Sequence, residues 1–190
     1  MNKICFVTGN KNKLREVQSL LSNYKIVSLD DLHFSEDIAE TENTIQGNAE
    51  LKAKFINNRF NIDCFSDDTG LFIDSLDGLP GVKSARYAGD NCSSDENIDL
   101  VLKNLKNISN RNASFRTVIC LIKNNKTYLF EGVVNGKITE ERVGHDGFGY
   151  DPIFIPQGYD KTFSELTINE KNAISHRGIA INKLVNFLNG

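Results

Sequence analysis

Short apolar segments alternate with helical repeats through the first third of the chain. Ile4–Val7 predicts a strand, a second strand is predicted over Lys25–Leu29, and each is followed by a polar segment. Apolar residues at helical spacing predict one helix after each strand. The first helix has Leu14, Val17 and Leu21 on its buried face, and the second has Ala49, Ala53, Ile56 and Phe60.

The middle of the chain is interrupted by two adjacent acids. Ile62–Phe65 and Leu71–Leu76 predict two extended segments, and Asp67 and Asp68 stand between them, at the end of the first. Asp77–Val82 is rich in turn residues. Ser94–Leu105 then predicts a helix, for which Ser93 or Ser94 is a suitable N-cap.

The last part of the chain predicts a meander followed by helices. Phe115–Glu141 favours strands, with breaks at Asn124-Asn125 and at Asn135-Gly136. A glycine-rich loop follows, then a short helix over Asn169–Ser175 and a final helix. The final helix has one apolar face: Ile181, Leu184, Val185 and Leu188. Helices alternating with strands before a meander predict an α/β fold with a mixed sheet, in a single domain over residues 1–190.

Composition narrows the class of protein. The 190 residues are 39% hydrophobic and 25% charged, as in an ordinary globular protein, with a net charge of -3. This acidic balance argues against a general nucleic-acid binder. No apolar run reaches the length of a signal-peptide core or a membrane span, so we expect a cytoplasmic protein that binds neither nucleic acid nor membrane. Three of the four cysteines lie in predicted strands, which favours buried, reduced thiols.

The polar segment after the first strand is a candidate phosphate-binding loop. A loop that leads into a helix N-terminus directs backbone N–H groups outward, and the helix dipole adds positive charge. The spacing of a Walker A loop is missing, so an ordinary solvated loop remains an alternative. The candidate residues are Thr8, Gly9, Asn10, Lys11, Asn12 and Lys13.

The adjacent acids raise the question of what compensates their charge. A carboxylate buried between apolar segments is costly unless it is paired, hydrogen-bonded or bound to a metal. Glu40, in the acidic segment Ser35–Thr44, could join Asp68 around a hard divalent cation, which prefers a few carboxylates together with water and phosphate oxygens. A solvated turn is the alternative for Asp67 and Asp68.

Two further segments carry groups suited to a planar ligand. In "GFGYDPIF", Phe148 and Tyr150 could stack on a base, or they could simply be core residues beside a turn. In "EKNAISHRG", the donors suit an anion or a carbonyl-bearing base, with surface decoration as the alternative. These donors are Lys171, Ser175, His176 and Arg177.

These segments together resemble one family over nearly the whole chain. "TGNKNK", "SDDTGL", "PGVKSARYAG", "GFGYDPIF" and "ISHRG", in this order, are similar to the motifs of the inosine triphosphate pyrophosphatase family, the HAM1-like nucleotidases. One departure is visible. Gly47-Asn48 stands where many members carry Glu-Asn, which leaves the role of that glutamate open in this chain.

The resemblance implies a fold, an activity and an assembly. The expected fold is an elongated mixed sheet flanked by helices, with two lobes and a nucleotide cleft between them. The expected reaction is the Mg²⁺-dependent hydrolysis of ITP, XTP and dITP to the monophosphate and pyrophosphate, which keeps deaminated purines out of DNA and RNA. A homodimer is also implied.

The resemblance assigns roles to residues of this chain. Asp68 is the expected catalytic residue, and Glu40 and Asp68 are the expected Mg²⁺ ligands. Asp67 either supports these groups or caps a turn, and both readings stay open. Arg177 and His176 are expected to recognise the C6 carbonyl of the base. The expected substrate-binding residues are Thr8, Gly9, Asn10, Lys11, Asn12, Lys13, Lys52, Thr69, Phe148, Gly149, Tyr150, Asp151, Lys171, His176 and Arg177.

Three alternatives compete with this function. A Maf-type nucleotide pyrophosphatase has related chemistry, but "GFGYDPIF" together with "SHRG" disfavours it. A nucleotide sensor without turnover is disfavoured by the intact acids and Lys13. An RNA-binding module is disfavoured by the acidic composition and the lack of a basic stripe.

Overall fold

The computed structural model describes residues 2–21 and 24–190, which form seven strands and five α-helices. The strands are β1 (Asn2–Val7), β2 (Tyr24–Val27), β3 (Cys64–Ile73), β4 (Pro80–Gly81), β5 (Asn112–Lys123), β6 (Lys126–Ile138) and β7 (Phe154–Pro156). The helices are α1 (Lys11–Leu20), α2 (Ile45–Phe60), α3 (Ser94–Asn104), α4 (Ile168–Ile174) and α5 (His176–Asn189).

The strands form one mixed sheet in the order β2-β1-β3-β5-β6-β7, and β4 pairs with β3. β1 runs parallel to both β2 and β3, whereas β4 is antiparallel to β3 and β7 is antiparallel to β6. Helices follow the first strands and a meander forms the later part. The predicted α/β fold with a mixed sheet is therefore confirmed.

Strand β3 differs from the prediction of two segments that flank the acids. It is one strand of ten residues that runs through Asp67, Asp68 and Gly70. Gly70 permits this because a Cβ there would lie 2.7 Å from the carbonyl oxygen of Gly81 on β4, so only glycine allows the two strands to approach. The prediction that Asp67 and Asp68 end a strand was wrong, and Asp74–Leu76 is a single 3₁₀ turn instead of extended chain.

The meander contains one of the two predicted turns. Asn124 and Asn125 connect β5 to β6 with φ values of 51° and 60°, as a two-residue hairpin turn requires. The predicted break at Asn135-Gly136 was wrong, because β6 continues through it. At Gly136 a Cβ would collide with the carbonyl of Ile155 on β7. This glycine therefore serves a close strand approach, not a turn.

The predicted helices are present with small shifts at their ends. α1 begins at Lys11, so the candidate phosphate loop is shorter than predicted. Ser93 is the N-cap of α3 and forms a capping box with Glu96, as its position suggested. The second strand lies slightly earlier than predicted, and α4 begins one residue earlier.

The chain forms two compact units. The first comprises the described residues of Met1–Asp68, Thr117–Gly132 and Arg177–Gly190, and the second comprises Thr69–Arg116 and Val133–His176. Each has its own apolar core. The core of the first unit includes Phe6, Val17, Phe65, Ile119, Leu121 and Leu184. That of the second includes Leu71, Ile98, Val101, Phe115, Phe154 and Phe163. That residues 1–190 act as one domain stays a prediction.

All four cysteines are free thiols, and three of them are buried on strands as predicted: Cys5, Cys64 and Cys120. Burial raises the pKa of each of these three thiols to about 12, so they stay protonated and unreactive at neutral pH.

Within the described part of the chain, no helix has both the length and the apolar character needed to cross a bilayer.

Candidate active site

The side chains of β3 alternate between two sets of helices. Cys64 and Ser66 donate to the backbone carbonyls of Ala53 and Ala49 on α2. The intervening Phe65 packs in the core beside residues of α1 and α5. Because successive side chains of a strand point to opposite faces, the two acids that follow also diverge.

Asp67 lies on the face of α1 and α5 and is almost completely buried. Its Oδ1 is 3.0 Å from Lys13 Nζ, and its Oδ2 accepts from Arg177 Nε at 3.1 Å. Arg177 Nη1 in turn contacts Glu16 Oε2 at 2.5 Å. The first unit thus contains a quartet of ion-paired side chains, Lys13, Asp67, Arg177 and Glu16, with two positive and two negative charges.

The quartet shifts the pKa values of its members. Burial raises the pKa of Asp67, but Lys13 and Arg177 outweigh that effect and hold it well below its usual range. Burial also lowers the pKa of Lys13, and there the attraction of Asp67 does not compensate. At neutral pH, Asp67 is therefore a carboxylate committed to its own protein cations.

Asp68 lies on the opposite face, against α2. Its Oδ2 accepts from Asn48 Nδ2 at 3.2 Å, and its Oδ1 is 3.9 Å from Lys52 Nζ. Lys52 also donates to Glu40 Oε1 at 2.6 Å and to the carbonyl of Asp67 at 2.9 Å. Lys52 thereby brings together the two acids that the sequence assigned to a metal.

The pKa values of Asp68 and Lys52 are shifted upward, whereas those of Asp67 and Lys13 in the quartet are shifted downward. Burial raises the pKa of the Asp68 carboxyl, and Glu40 raises it further, while Lys52 only partly offsets both. The pKa of Lys52 is raised because Asp68 and Glu40 outweigh its burial. A carboxylate with a raised pKa is the better proton acceptor of the adjacent pair.

The residues present fit a divalent cation. The carboxylates of Glu40 and Asp68 are directed at one positive centre, the ammonium of Lys52. Two carboxylates are the protein ligands that Mg²⁺ commonly takes, with phosphate oxygens and water completing the shell. Among the described residues there is no group of three or more His, Cys, Asp or Glu side chains arranged to hold a metal by themselves. Glu40 and Asp68 could hold the ion together with a phosphorylated ligand.

The candidate phosphate loop is capped by one of its own side chains. Asn10 is the N-cap of α1, and its Oδ1 accepts from the N–H groups of Asn12 and Lys13. The N–H of Asn10 donates to Thr8 Oγ1. These three N–H groups, which the sequence assigned to phosphate, are engaged inside the loop. Gly9 and Lys11 are exposed there.

The second unit contains a separate group of candidate residues. Asp151 Oδ2 accepts from the N–H of Phe148 at 2.7 Å and from Lys171 Nζ at 2.8 Å. The ammonium of Lys171 lies 4.6 Å from the ring centre of Phe148. Gly147, with φ 85°, makes room for this arrangement, because a Cβ there would collide with the Asp151 carboxylate. A half-buried aromatic ring and a cationic donor are thus fixed side by side.

Two of the predicted substrate-binding residues, Tyr150 and His176, are buried in the second unit. Tyr150 is buried, and burial raises the pKa of its hydroxyl above the usual range. This hydroxyl donates to the carbonyl of Ser84. The ring of Tyr150 is therefore part of the core and not a surface for stacking. His176 is buried and stacked on Phe115 at 4.5 Å. Gly149 has open space beside it and Thr69 is half-buried on β3.

Sequence reasoning missed Glu16 and gave Asn48 no role in the site. A signal for Glu16 was available, because it follows Lys13 by three residues and so shares its helix face. Asn48 precedes Lys52 by one turn of α2 in the same way. Both residues are polar at positions where the helix is buried, and each requires a partner there.

Together the fold and the site define a class. In an α/β fold, acidic side chains and lysines lie together beside a capped helix N-terminus. This arrangement is typical of proteins that act on phosphorylated ligands.

Comparison with known proteins identifies the family. The chain belongs to the Ham1 family, whose model matches residues 4–187. A relative named dITP/XTP pyrophosphatase from Flavobacterium johnsoniae is 50% identical over 187 residues, which cover 98% of this chain and 97% of that protein. The Coxiella burnetii HAM1 structure has a TM-score of 0.92 at 39% identity, covering 100% of this chain and 99% of the other. The Staphylococcus aureus Ham1 structure has a TM-score of 0.91 at 37% identity, with the same two coverages.

Proposed function

We propose that the protein is a Mg²⁺-dependent nucleoside-triphosphate pyrophosphatase that converts ITP, XTP and dITP to the monophosphate and pyrophosphate. The observation that carries this proposal is the convergence of Glu40 and Asp68 on Lys52, beside the capped loop that leads into α1. The similarity to a relative named dITP/XTP pyrophosphatase at 50% identity supports the same substrates.

The proposed reaction is an in-line attack of water on the α-phosphorus. A bond forms between the water oxygen and this phosphorus, and the bond to the oxygen that bridges the α- and β-phosphates breaks. Pyrophosphate leaves with that oxygen. Asp68 accepts the proton of the water, because the neighbouring Asp67 is committed to Lys13 and Arg177. Lys52 and Lys13 offset the negative charge of the phosphates.

Glu40 and Asp68 are the residues that would hold the metal ion. When bound, Mg²⁺ supplies charge neutralisation at the phosphate oxygens and lowers the pKa of water.

Recognition of the base is assigned to the group around Phe148. Hypoxanthine and xanthine carry an acceptor oxygen at C6, whereas adenine carries a donor amino group. Lys171 can only donate, so it would favour the keto bases, while Phe148 would stack on any purine. Arg177 stays a predicted base-recognition residue, but its ion pairs with both Asp67 and Glu16 favour a positioning role. Lys171 is also ion-paired, with Asp151, but its ammonium lies beside the ring of Phe148, and we assign C6 recognition to it instead.

We further propose that the protein is a homodimer in the cytoplasm and that nucleic acids and membranes are not its ligands. Size-exclusion chromatography with light scattering tests the assembly, and a filter-binding assay at physiological salt tests RNA binding.

A turnover panel tests the proposed activity. Purified protein is incubated with Mg²⁺ and each of ITP, XTP, dITP, ATP and GTP, and pyrophosphate is quantified separately from orthophosphate. We expect pyrophosphate from the first three and little product from ATP or GTP. Binding of ITP without turnover would indicate a sensor, and a preference for a different set of bases would indicate Maf-like specificity.

Metal removal is expected to abolish the activity. Two carboxylates and a triphosphate suit Mg²⁺ better than Ca²⁺, which takes more ligands at longer distances. After exhaustive chelation we expect no turnover of ITP, with recovery on adding Mg²⁺, partial recovery with Mn²⁺ and little with Ca²⁺. Pyrophosphate release is the measurement, and undiminished turnover in the chelated enzyme would contradict the proposed chemistry.

Replacing Lys171 by Met is expected to reduce the preference for ITP over ATP. The substitution removes the proposed donor to the C6 oxygen, and a hydrogen bond to a charged group contributes about 1.5–3 kcal/mol, or roughly 10- to 150-fold in kcat/KM for ITP. ATP should lose much less. Phe148→Ala should weaken both substrates equally.

Lys183, which is exposed and donates to the carbonyl of Glu131, supplies a control for the loss of a lysine outside the proposed site. Lys183→Met should change neither substrate. An unchanged ITP-to-ATP ratio in folded Lys171→Met protein would remove Lys171 from base recognition.

A further inference from the structure

We propose that Asn48 is a positioning residue that holds Asp68 and the acidic segment before α2 in one fixed arrangement. This inference rests on the proposed role of Asp68 and adds a residue to its machinery. Asn48 lies in the first turn and a half of α2 and is completely buried, with 0% of its surface exposed. A buried amide must be hydrogen-bonded, and asparagine is a poor helix former, so packing alone does not account for it.

The orientation of the amide is fixed by its partners. The N–H of Glu42 donates to Asn48 Oδ1 at 3.0 Å, and a backbone N–H can only donate. Nδ2 therefore faces Asp68 Oδ2, at 3.2 Å.

The two oxygens of Asp68 are thereby distinguished. Oδ2 is bound to the neutral amide of Asn48, whereas Oδ1 lies toward Lys52, the side chain that also contacts Glu40. We infer that Oδ2 anchors the carboxylate and that Oδ1 is the oxygen directed at the metal and the water. A carboxylate with one oxygen anchored loses much of its rotational freedom before any ligand binds.

The same amide controls the position of Glu40. The N–H of Glu42 donates to Asn48, and Glu42 is two residues beyond Glu40 in the acidic segment. Lys52, one helical turn after Asn48, contacts Glu40 itself. Asn48 thus joins three parts of the first unit: the segment that carries Glu40, helix α2 and strand β3. Without it, the distance between the two proposed ligands is less tightly set.

Asn97 provides a matched control within the chain. It is also a buried asparagine near the start of a helix, with 4% of its surface exposed. Its Oδ1 accepts from the N–H of Ala88 at 2.8 Å and from Cys92 Sγ at 3.2 Å, and its Nδ2 donates to the carbonyl of Ala85 at 3.2 Å. Both amides therefore accept from a backbone N–H and donate through Nδ2. Only Asn48 has a carboxylate of the proposed site as its partner.

The test compares Asn48→Leu with Asn97→Leu, which are nearly equal in size to the residues they replace. Three quantities are measured for each: the melting temperature, kcat and KM for ITP with Mg²⁺, and the affinity for Mn²⁺ by calorimetric titration in the presence of inosine monophosphate. Loss of a residue that orients a metal ligand costs about 10- to 100-fold in metal affinity or activity. We expect that loss in kcat and in Mn²⁺ affinity for Asn48→Leu, with a smaller change in KM.

Asn97→Leu should lower the melting temperature comparably and leave kcat and Mn²⁺ affinity as in the wild type. If Asn48→Leu does the same, Asn48 is only a structural residue and the proposal is overturned. Should Asn48→Leu fail to fold, Asn48→Ser, which keeps a short polar group at the site, is measured in the same way. Absence of pyrophosphate release by the wild type would instead refute the proposed function, and the Mn²⁺ titrations would still decide the role of Asn48.

Discussion

Asp68→Asn is expected to reduce kcat for ITP by about 10²- to 10⁴-fold, the range typical for loss of a general base. The substitution keeps the shape of the side chain. It removes the negative charge that the metal and the attacking water require. Nucleotide binding should remain detectable, because Lys13, Lys52 and Phe148 are untouched. The measurement is steady-state pyrophosphate release together with nucleotide affinity by calorimetry.

Asp63→Asn is the control for this variant. Asp63 directly precedes β3, and its carboxylate accepts from the N–H of Asn124 at 2.9 Å, a bond that the amide oxygen of Asn can also make. We expect wild-type turnover for Asp63→Asn. A kcat of Asp68→Asn close to that of the wild type would transfer the catalytic role to another residue.

Arg177→Ala is expected to destabilise the protein by about 3–5 kcal/mol, as measured for buried pairs that lose one partner. Arg177 is 2% exposed, and its removal leaves Asp67 and Glu16 buried without the guanidinium that contacts both of them. Chemical denaturation gives the change in the free energy of unfolding. Turnover of ITP and ATP should fall by the same factor, because the effect reaches the substrate through the quartet.

Arg142→Ala separates this effect from the mere loss of an arginine. Arg142 also contacts two acids, Asp95 and Asp99, but 37% of its side chain is exposed. Exposed ion pairs contribute roughly 0–1 kcal/mol, so the variant should be nearly as stable as the wild type. If Arg177→Ala instead lowers ITP turnover far more than ATP turnover, Arg177 recognises the base, as the sequence suggested.

The elements of the fold were largely predictable because their signals are local. The apolar faces of α1, α2 and α5, the cap of α3 and the Asn124-Asn125 turn each depend on residues close together in the chain. The errors occurred at Gly70 and Gly136. At both positions glycine allows another strand to approach closely. In the sequence, such a glycine cannot be distinguished from a glycine that marks a turn.

The candidate site was predicted in part for a related reason. The family resemblance identified Asp68, Glu40, Lys13 and Lys52, which the structure places in one unit with the contacts described. Partnerships across the chain could not be predicted. The pair of Arg177 with Asp67 joins residues more than one hundred positions apart, and only the folded sheet shows that Arg177 is committed to it.

Successive side chains of β3 face different helices, so the position of each residue along the strand decides which partners it has. Cys64, Ser66 and Asp68 face α2, while Phe65 and Asp67 face α1 and α5. A single inserted or deleted residue before the acids would exchange the two faces. After an insertion, Asp67 would take the position that meets Lys52, and after a deletion, Asp68 would take the position between Lys13 and Arg177. Two chemically identical side chains thus take different roles because they occupy alternate positions along one strand, so a change in the number of residues before them would alter both roles at once.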